Sequence, residues 1–125
     1  MTNQELSKLK ADKDGLEIYE YLANNVGDET LEVDTLIDLL SDVDTTGQYM
    51  ASAARFLNAI DRERFEDAVR RLVSLTIDRD REHCFLMQLM SSIYGDDFAE
   101  HADELAASDN NFRRIFKRLY PSGAM

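Results

Sequence analysis

The residues between Ser41 and Tyr49 have the types and the spacing that two kinds of chemistry need. Asp42 and Asp44 are separated by one residue, and Thr46 follows at the same interval. Such a pair of carboxylates can serve as the nucleophile and the general acid of phosphoryl transfer. With a glycine five residues after the first aspartate, the same pair can begin a loop that binds a hard cation. Whether these aspartates can catalyse phosphoryl transfer or bind a cation depends on the helices, strands or loops that position their side chains.

Asp42, Asp44 and Thr46 resemble the nucleophile loop of haloacid-dehalogenase-like phosphatases, and the acidic Gly95–Asp97 resembles their later metal-binding motif. This resemblance implies an apolar β-strand that leads into the first aspartate, within a parallel sheet. The approach in this chain, DTLIDLLS, instead has its apolar residues at helical spacing. We therefore predict that the pair of aspartates has no phosphatase activity.

The same stretch resembles the calcium loop of EF-hands, because Asp42, Asp44 and Gly47 occupy its first, third and sixth positions. The resemblance implies a glutamate at the twelfth position that binds the ion with both oxygens. That position holds Ala53, and a second acidic pair 36 residues later also lacks the closing glutamate. We therefore predict that calcium does not bind.

A boundary between two helices explains the residues from Ser41 to Tyr49 better than a phosphatase loop or a calcium loop does. Thr45 and Gln48 have the spacing of a capping box, in which the threonine hydroxyl accepts an amide and the glutamine reaches back. Asp44 then lies near the positive end of the second helix, and Gly47 is tolerated in its first turn. We predict that one helix ends and another begins here.

Histidine and cysteine do not form a recognisable catalytic group. His83 and Cys84 are adjacent, so on a helix their side chains point about 100° apart and make a poor metal pair. Cys84 is typical of a small buried apolar side chain. Asp97, His101 and Glu104 share one helix face, but one helix alone rarely completes a metal site. No phosphate-binding glycine loop, G-x-S-x-G or C-x-x-C occurs. We predict no enzyme activity, no catalytic residue, no metal site and no cofactor.

The segment NNFRRIFKRLYP, residues 110–121, is rich in basic and aromatic residues. It resembles the end of the second helix-turn-helix of AraC-type regulators in Phe112, Arg114, Phe116, Lys117 and Arg118. This resemblance implies DNA binding by Arg113, Arg114, Lys117 and Arg118. It covers about a dozen residues, the family's upstream glycine–phenylalanine turn is missing, and Pro121 stands where a glycine is expected. A DNA-binding regulator is therefore kept as an alternative, and we expect these basic residues to pair with the chain's own carboxylates.

An acidic segment is the most distinctive feature of the sequence. Asp34, Asp38 and Asp42 are four residues apart, which places them along one helix face, where like charges repel. No lysine or arginine occurs between Lys13 and Arg55. The predicted binding residues for a basic partner are Asp28, Glu29, Glu32, Asp34, Asp38 and Asp42. The alternative is a solvated face that only keeps the protein in solution.

Apolar residues recur at helical spacing over almost the whole chain. The predicted helices cover about 3–10, 14–25, 30–42, 46–60, 62–76, 79–94, 96–107 and 109–120. Thr2 and Glu5 form a capping-box pattern at the first of them. The sixth is apolar over most of its circumference, which predicts either a central helix or an interface. We predict an all-α fold, a compact single-domain bundle of about seven or eight short helices over residues 1–125.

Composition limits the classes of function. The net charge is −11, and residues 1–54 carry 12 acidic residues against three lysines. This charge repels nucleic acid and anionic membranes and attracts basic partners. One cysteine excludes an internal disulfide, and no apolar run has the roughly 20 residues of a membrane span. We expect a cytoplasmic, non-enzymatic protein-binding module, such as a small acidic inhibitor or adaptor, with a basic protein partner and no direct contact with nucleic acid or membrane. The second alternative is a structural homo-oligomer held by the sixth helix.

Overall fold

A computed structural model describes residues 1–121 of the chain, and these residues form eight α-helices, one 3₁₀-helix and no β-strand. The predicted all-α class and helical bundle are therefore confirmed. No helix in this described part is long and apolar enough to cross a membrane. The α-helices are α1 (Asn3–Lys10), α2 (Leu16–Asn24), α3 (Val33–Val43), α4 (Gln48–Ile60), α5 (Glu66–Arg79), α6 (Leu86–Tyr94), α7 (Ala102–Ser108) and α8 (Asn110–Leu119), and the 3₁₀-helix (Phe98–His101) precedes α7.

Helix α4 lies at the centre of the bundle and packs against α2, α3, α5 and α6. Its inward side combines the long side chains of Met50 and Leu57 with small ones at Ala53 and Ala54, and all four are fully buried. The alanines carry little more than backbone on this side, so neighbouring helices can approach α4 closely while the longer side chains fill the space between them. One continuous hydrophobic core results.

Helix α6 contributes its apolar side chains to this core. Leu86, Leu89 and Met90 are fully buried, whereas Met87 is 43% exposed. This helix buries one side in the core and exposes Met87, Gln88 and Ser92 on the other, so it is not apolar over most of its circumference as predicted, and the predicted interface stays a prediction. A homo-oligomer held by α6 would therefore have only the outer side of this helix to use.

Three buried aspartates each join the end of one helix to the start of the next. Their carboxylates accept the amide of the sixth residue further on, which is fully buried in every case. The pairs are Asp12 with Ile18 at 3.0 Å, Asp44 with Met50 at 2.8 Å and Asp80 with Leu86 at 3.1 Å. The residue three positions after each aspartate has a positive φ: Gly15 at 112°, Gly47 at 87° and His83 at 58°. We call these three segments the aspartate turns.

Glycine serves two purposes in the first two aspartate turns. It adopts the left-handed backbone without strain, and it leaves space for the helix packed behind it. A Cβ atom would lie 3.1 Å from the Leu40 side chain at Gly15 and 3.3 Å from the Thr76 side chain at Gly47. His83 is exposed, so the third turn can carry a side chain at this position.

The second aspartate turn replaces the predicted capping box of Thr45 and Gln48, which was wrong. Asp44 Oδ1 accepts the amide of Gly47 at 3.0 Å, and Oδ2 accepts the amides of Tyr49 at 2.9 Å and Met50 at 2.8 Å. The carboxylate thus does the capping itself, and α4 begins at Gln48 after the left-handed glycine. Both oxygens are committed to amides in a buried position, which leaves Asp44 poorly placed to bind a cation or to act as the general acid of phosphoryl transfer.

The third aspartate turn explains why α6 begins at Leu86 and not near residue 79 as predicted. Asp80 accepts the amides of Cys84 at 2.8 Å and Phe85 at 2.7 Å, which holds residues 80–85 in a turn. His83 and Cys84 therefore lie on an exposed turn. The prediction that Cys84 is buried on a helix was wrong, because the helix had not yet begun.

Candidate functional site

The acidic segment, defined as Asp28, Glu29, Glu32, Asp34, Asp38 and Asp42, is exposed at all six positions. Its first half lies in the loop before α3 and its second half lies along α3. Helix α3 buries one side in the core through Leu36, Ile37, Leu39 and Leu40. Because the three aspartates of α3 recur every four residues between these leucines and isoleucine, burying that side turns all three toward solvent.

The loop half of the segment is held in place by local hydrogen bonds and by one arginine. Asp28 Oδ1 accepts the hydroxyl of Thr30 at 2.7 Å and its amide at 2.9 Å, and these bonds lower the pKa of Asp28. Arg64, just before α5, donates to the carbonyl oxygens of Val26 at 2.9 Å and Asp28 at 3.1 Å. The loop is therefore tied to the start of α5 through its backbone.

The helical half of the segment is crossed by Arg71 of α5. Its guanidinium forms an ion pair with Asp38 and lies 3.9 Å from an Asp34 carboxylate oxygen. It also donates to the Asp34 backbone carbonyl at 3.4 Å. Arg71 is separated from these aspartates by 33 to 37 residues in the sequence, so the sequence analysis did not associate it with the segment. Only the packing of α5 against α3 brings them together.

The remaining carboxylates have fewer partners. Glu32 lies 3.9 Å from the α-amino group of Met1. Within residues 1–121, Glu29 and Asp42 form no ion pair. Six carboxylates stand against three positive groups, the guanidinium groups of Arg64 and Arg71 and the α-amino group of Met1, which leaves the segment with a balance of −3. The packed protein therefore retains half of the negative charge that the sequence predicts for this surface.

The basic residues of α8 are distributed between the surface and the bundle. The side chain of Asp109 caps α8 by accepting the Phe112 amide at 3.0 Å, and Phe112 is fully buried. Arg114 forms an ion pair with Asp78 of α5 at 2.6 Å, as expected for a basic helix on an acidic domain. The other basic residues of α8 are an exposed Arg113 that bonds to Asn110, an exposed Lys117 and a half-buried Arg118.

Metal-ligating side chains come together in a combination that the sequence analysis did not foresee. Asp97 and His101 are adjacent, with 3.3 Å between Oδ2 and Nε2. Their third neighbour is Glu100, and Glu104 does not join them. The sequence analysis assumed one continuous α-helix over these residues, whereas the structure has a 3₁₀-helix at Phe98–His101.

No protein-family model matches this chain, and neither a curated protein nor a solved structure is significantly similar to it. The fold and the surface define a small acidic helical protein with a long exposed carboxylate segment.

Proposed function

We propose that the protein is a non-enzymatic binding module, a small acidic inhibitor or adaptor, whose acidic segment docks on a basic surface of a partner protein. The observation that supports this proposal is the exposure of all six carboxylates in a segment whose balance is −3 after its contacts with Arg64, Arg71 and the Met1 α-amino group. The groove of a nucleic-acid-binding protein, which is lined by lysine and arginine, has the complementary chemistry.

Arg71 gives the segment a property that a merely solvated face would lack. It removes one unit of negative charge, but its hydrogen bond to the Asp38 carboxylate also restrains that side chain, and its bond to the Asp34 carbonyl links α5 to the backbone of α3. Each carboxylate has two oxygens with several acceptor positions, so pairing with one guanidinium leaves room for a partner's lysine or arginine. Side chains that are already ordered lose less conformational entropy when a partner binds.

The test begins with affinity capture of a partner and continues with the purified pair. Binding of the parent is measured against ionic strength and compared with Asp34→Asn/Asp38→Asn/Asp42→Asn. We expect weaker binding and a flatter salt dependence in this variant, because complementary charges act mainly on association and are screened by salt.

A control must remove the same number of charges elsewhere. Glu17→Gln/Asp103→Asn/Glu104→Gln does so at three exposed positions outside the acidic segment. We expect this variant to bind like the parent. Equal losses in the two triple variants would show that net charge alone matters, and unchanged affinity in the first would exclude the acidic segment as the docking face.

The fold should survive the substitution in the acidic segment. Exposed ion pairs contribute about 0.2–1 kcal/mol each, so losing the contacts of Arg71 costs little. Removing the repulsion between like charges four residues apart stabilises the helix by about 0.2–0.5 kcal/mol per pair. The two effects nearly cancel, and the free energy of unfolding should stay within about 1 kcal/mol of the parent.

A further inference from the structure

Asp97, Glu100 and His101 form a group of metal-ligating side chains outside the acidic segment. Helix α6 ends at Tyr94, the next residue Gly95 has a φ of 89°, and Asp97 directly precedes the 3₁₀-helix. In a 3₁₀-helix, side chains three residues apart lie one above the other. The tight turn from Asp97 into this helix brings one ligand atom of each of the three side chains within 4.8 Å of the other two.

The backbone at Gly95 leaves room for this arrangement. A Cβ atom at that position would lie 3.0 Å from Asp97 Oδ1, a contact tighter than nine in ten real Cβ contacts. Gly95 therefore allows the Asp97 carboxylate to fold back over the turn. In that position it faces the imidazole of His101.

The distances suit a single zinc ion. One ligand atom of each side chain lies within 4.8 Å of the other two, and Asp97 Oδ2 is 3.3 Å from His101 Nε2. Zinc binds nitrogen and oxygen ligands at about 2.0–2.2 Å, so tetrahedral geometry separates two ligands by about 3.3–3.6 Å. The aspartate and the histidine thus have the separation of two ligands of one ion. Glu100 is exposed and free to complete a third contact by rotating.

We propose that Asp97, Glu100 and His101 form a surface site for Zn²⁺, with water at the remaining coordination positions. An imidazole nitrogen with two carboxylates suits zinc. Calcium and magnesium prefer sites made of oxygen alone. The site is independent of the acidic segment and would hold a metal while that segment is occupied.

The test is calorimetric titration of the full chain with zinc chloride. It is made in a Cys84→Ser background, because the exposed thiol next to His83 is itself a zinc ligand. Asp80 holds that turn through the amide of Cys84 and not through its sulfur, so the background variant should fold normally. We expect one site in this background, and no displacement of zinc by an excess of magnesium.

The chain has two histidines, which provides a matched pair of variants. His101→Asn and Asp97→Asn should each weaken binding by about tenfold or more, since even outer partners of metal ligands contribute that much. His83→Asn should leave it unchanged, because asparagine tolerates the left-handed backbone at residue 83. All three substituted side chains are exposed, and circular dichroism would confirm their folding.

Three results would overturn the proposal. They are an absence of zinc binding in the Cys84→Ser background, equal affinity of His101→Asn and the background, and displacement of zinc by magnesium, which would indicate carboxylates alone.

Discussion

Replacing Asp44 with alanine removes few atoms but should destabilise the protein strongly, because it removes three hydrogen bonds. The Asp44 side chain is buried, with 1% of the residue exposed, and it accepts three amides at the start of α4. Alanine removes all three acceptor contacts at once. The amides of Gly47 and Met50 then remain in the protein interior without a partner.

The magnitude follows from these contacts. A buried donor left without a partner costs about 1–3 kcal/mol, and the substitution leaves two such donors, the amides of Gly47 and Met50. The carboxylate no longer has to be buried, which offsets part of this loss. We expect a decrease of about 3–5 kcal/mol in the free energy of unfolding, out of the roughly 5–15 kcal/mol typical of a domain.

Urea unfolding followed by far-ultraviolet circular dichroism would measure this change. Asp42→Ala is the matched control, because Asp42 is the same residue type two positions earlier and is exposed. Its effect should stay within about 0.5 kcal/mol. Equal unfolding midpoints for the two variants would refute the assignment of Asp44 as the group that holds the start of α4.

Two further stability predictions follow from burial. Burial raises the pKa of Asp12, but hydrogen bonds from the amides of Ile18, Gly15 and Asp14 outweigh it, and the net shift is downward. Stability from this ionised group is present above its unfolded-state pKa of about 3.9 and is lost as pH falls through the lower folded-state value. Asp12→Asn should therefore lower the urea midpoint clearly near neutral pH and much less in strong acid, and equal losses would contradict this account. Leu89→Ala should cost about 2–5 kcal/mol in thermal unfolding because its side chain is fully buried. Met87→Ala, on the exposed side of the same helix, should change little, and a similar cost for both would place α6 outside the core.

Helix boundaries could be predicted from the sequence where the capping signal is local. The predicted capping box of Thr2 and Glu5 is present, with their reciprocal hydrogen bonds at 2.9 and 3.1 Å, and α1 has the predicted bounds. The start of α6 was missed by seven residues. Residues 79–83 carry no apolar side chain, so apolar spacing does not support a helix there. The left-handed position of that turn holds His83, which signals a turn less clearly than glycine does.

The exposure of Asp34, Asp38 and Asp42 on one side of α3 could be predicted from their spacing, but their contacts with other residues could not. Asp34 and Asp38 had to share a face because they are four residues apart. Their contact with Arg71 depends on how α3 and α5 pack, and no local pattern encodes that. The aspartate turns, in contrast, left a signal that the sequence analysis did not use. Asp12 and Asp44 are each followed by a glycine three residues later and by a buried apolar residue six residues later.

The aspartate turns also bear on how ancestry could be traced in this fold. Asp12, Asp44 and Asp80 are 32 and 36 residues apart, so the helical pairs between them differ in length while the turns keep their geometry. An apolar helix face accepts many substitutions of similar volume, whereas loss of the aspartate leaves buried amides without partners. As sequences diverge, the residue pattern of the helices should therefore become unrecognisable before the residue pattern of the turns does. A distant relative would be recognised by an aspartate, a left-handed residue three positions later and a buried apolar residue at the sixth, repeated before the second, fourth and sixth helices.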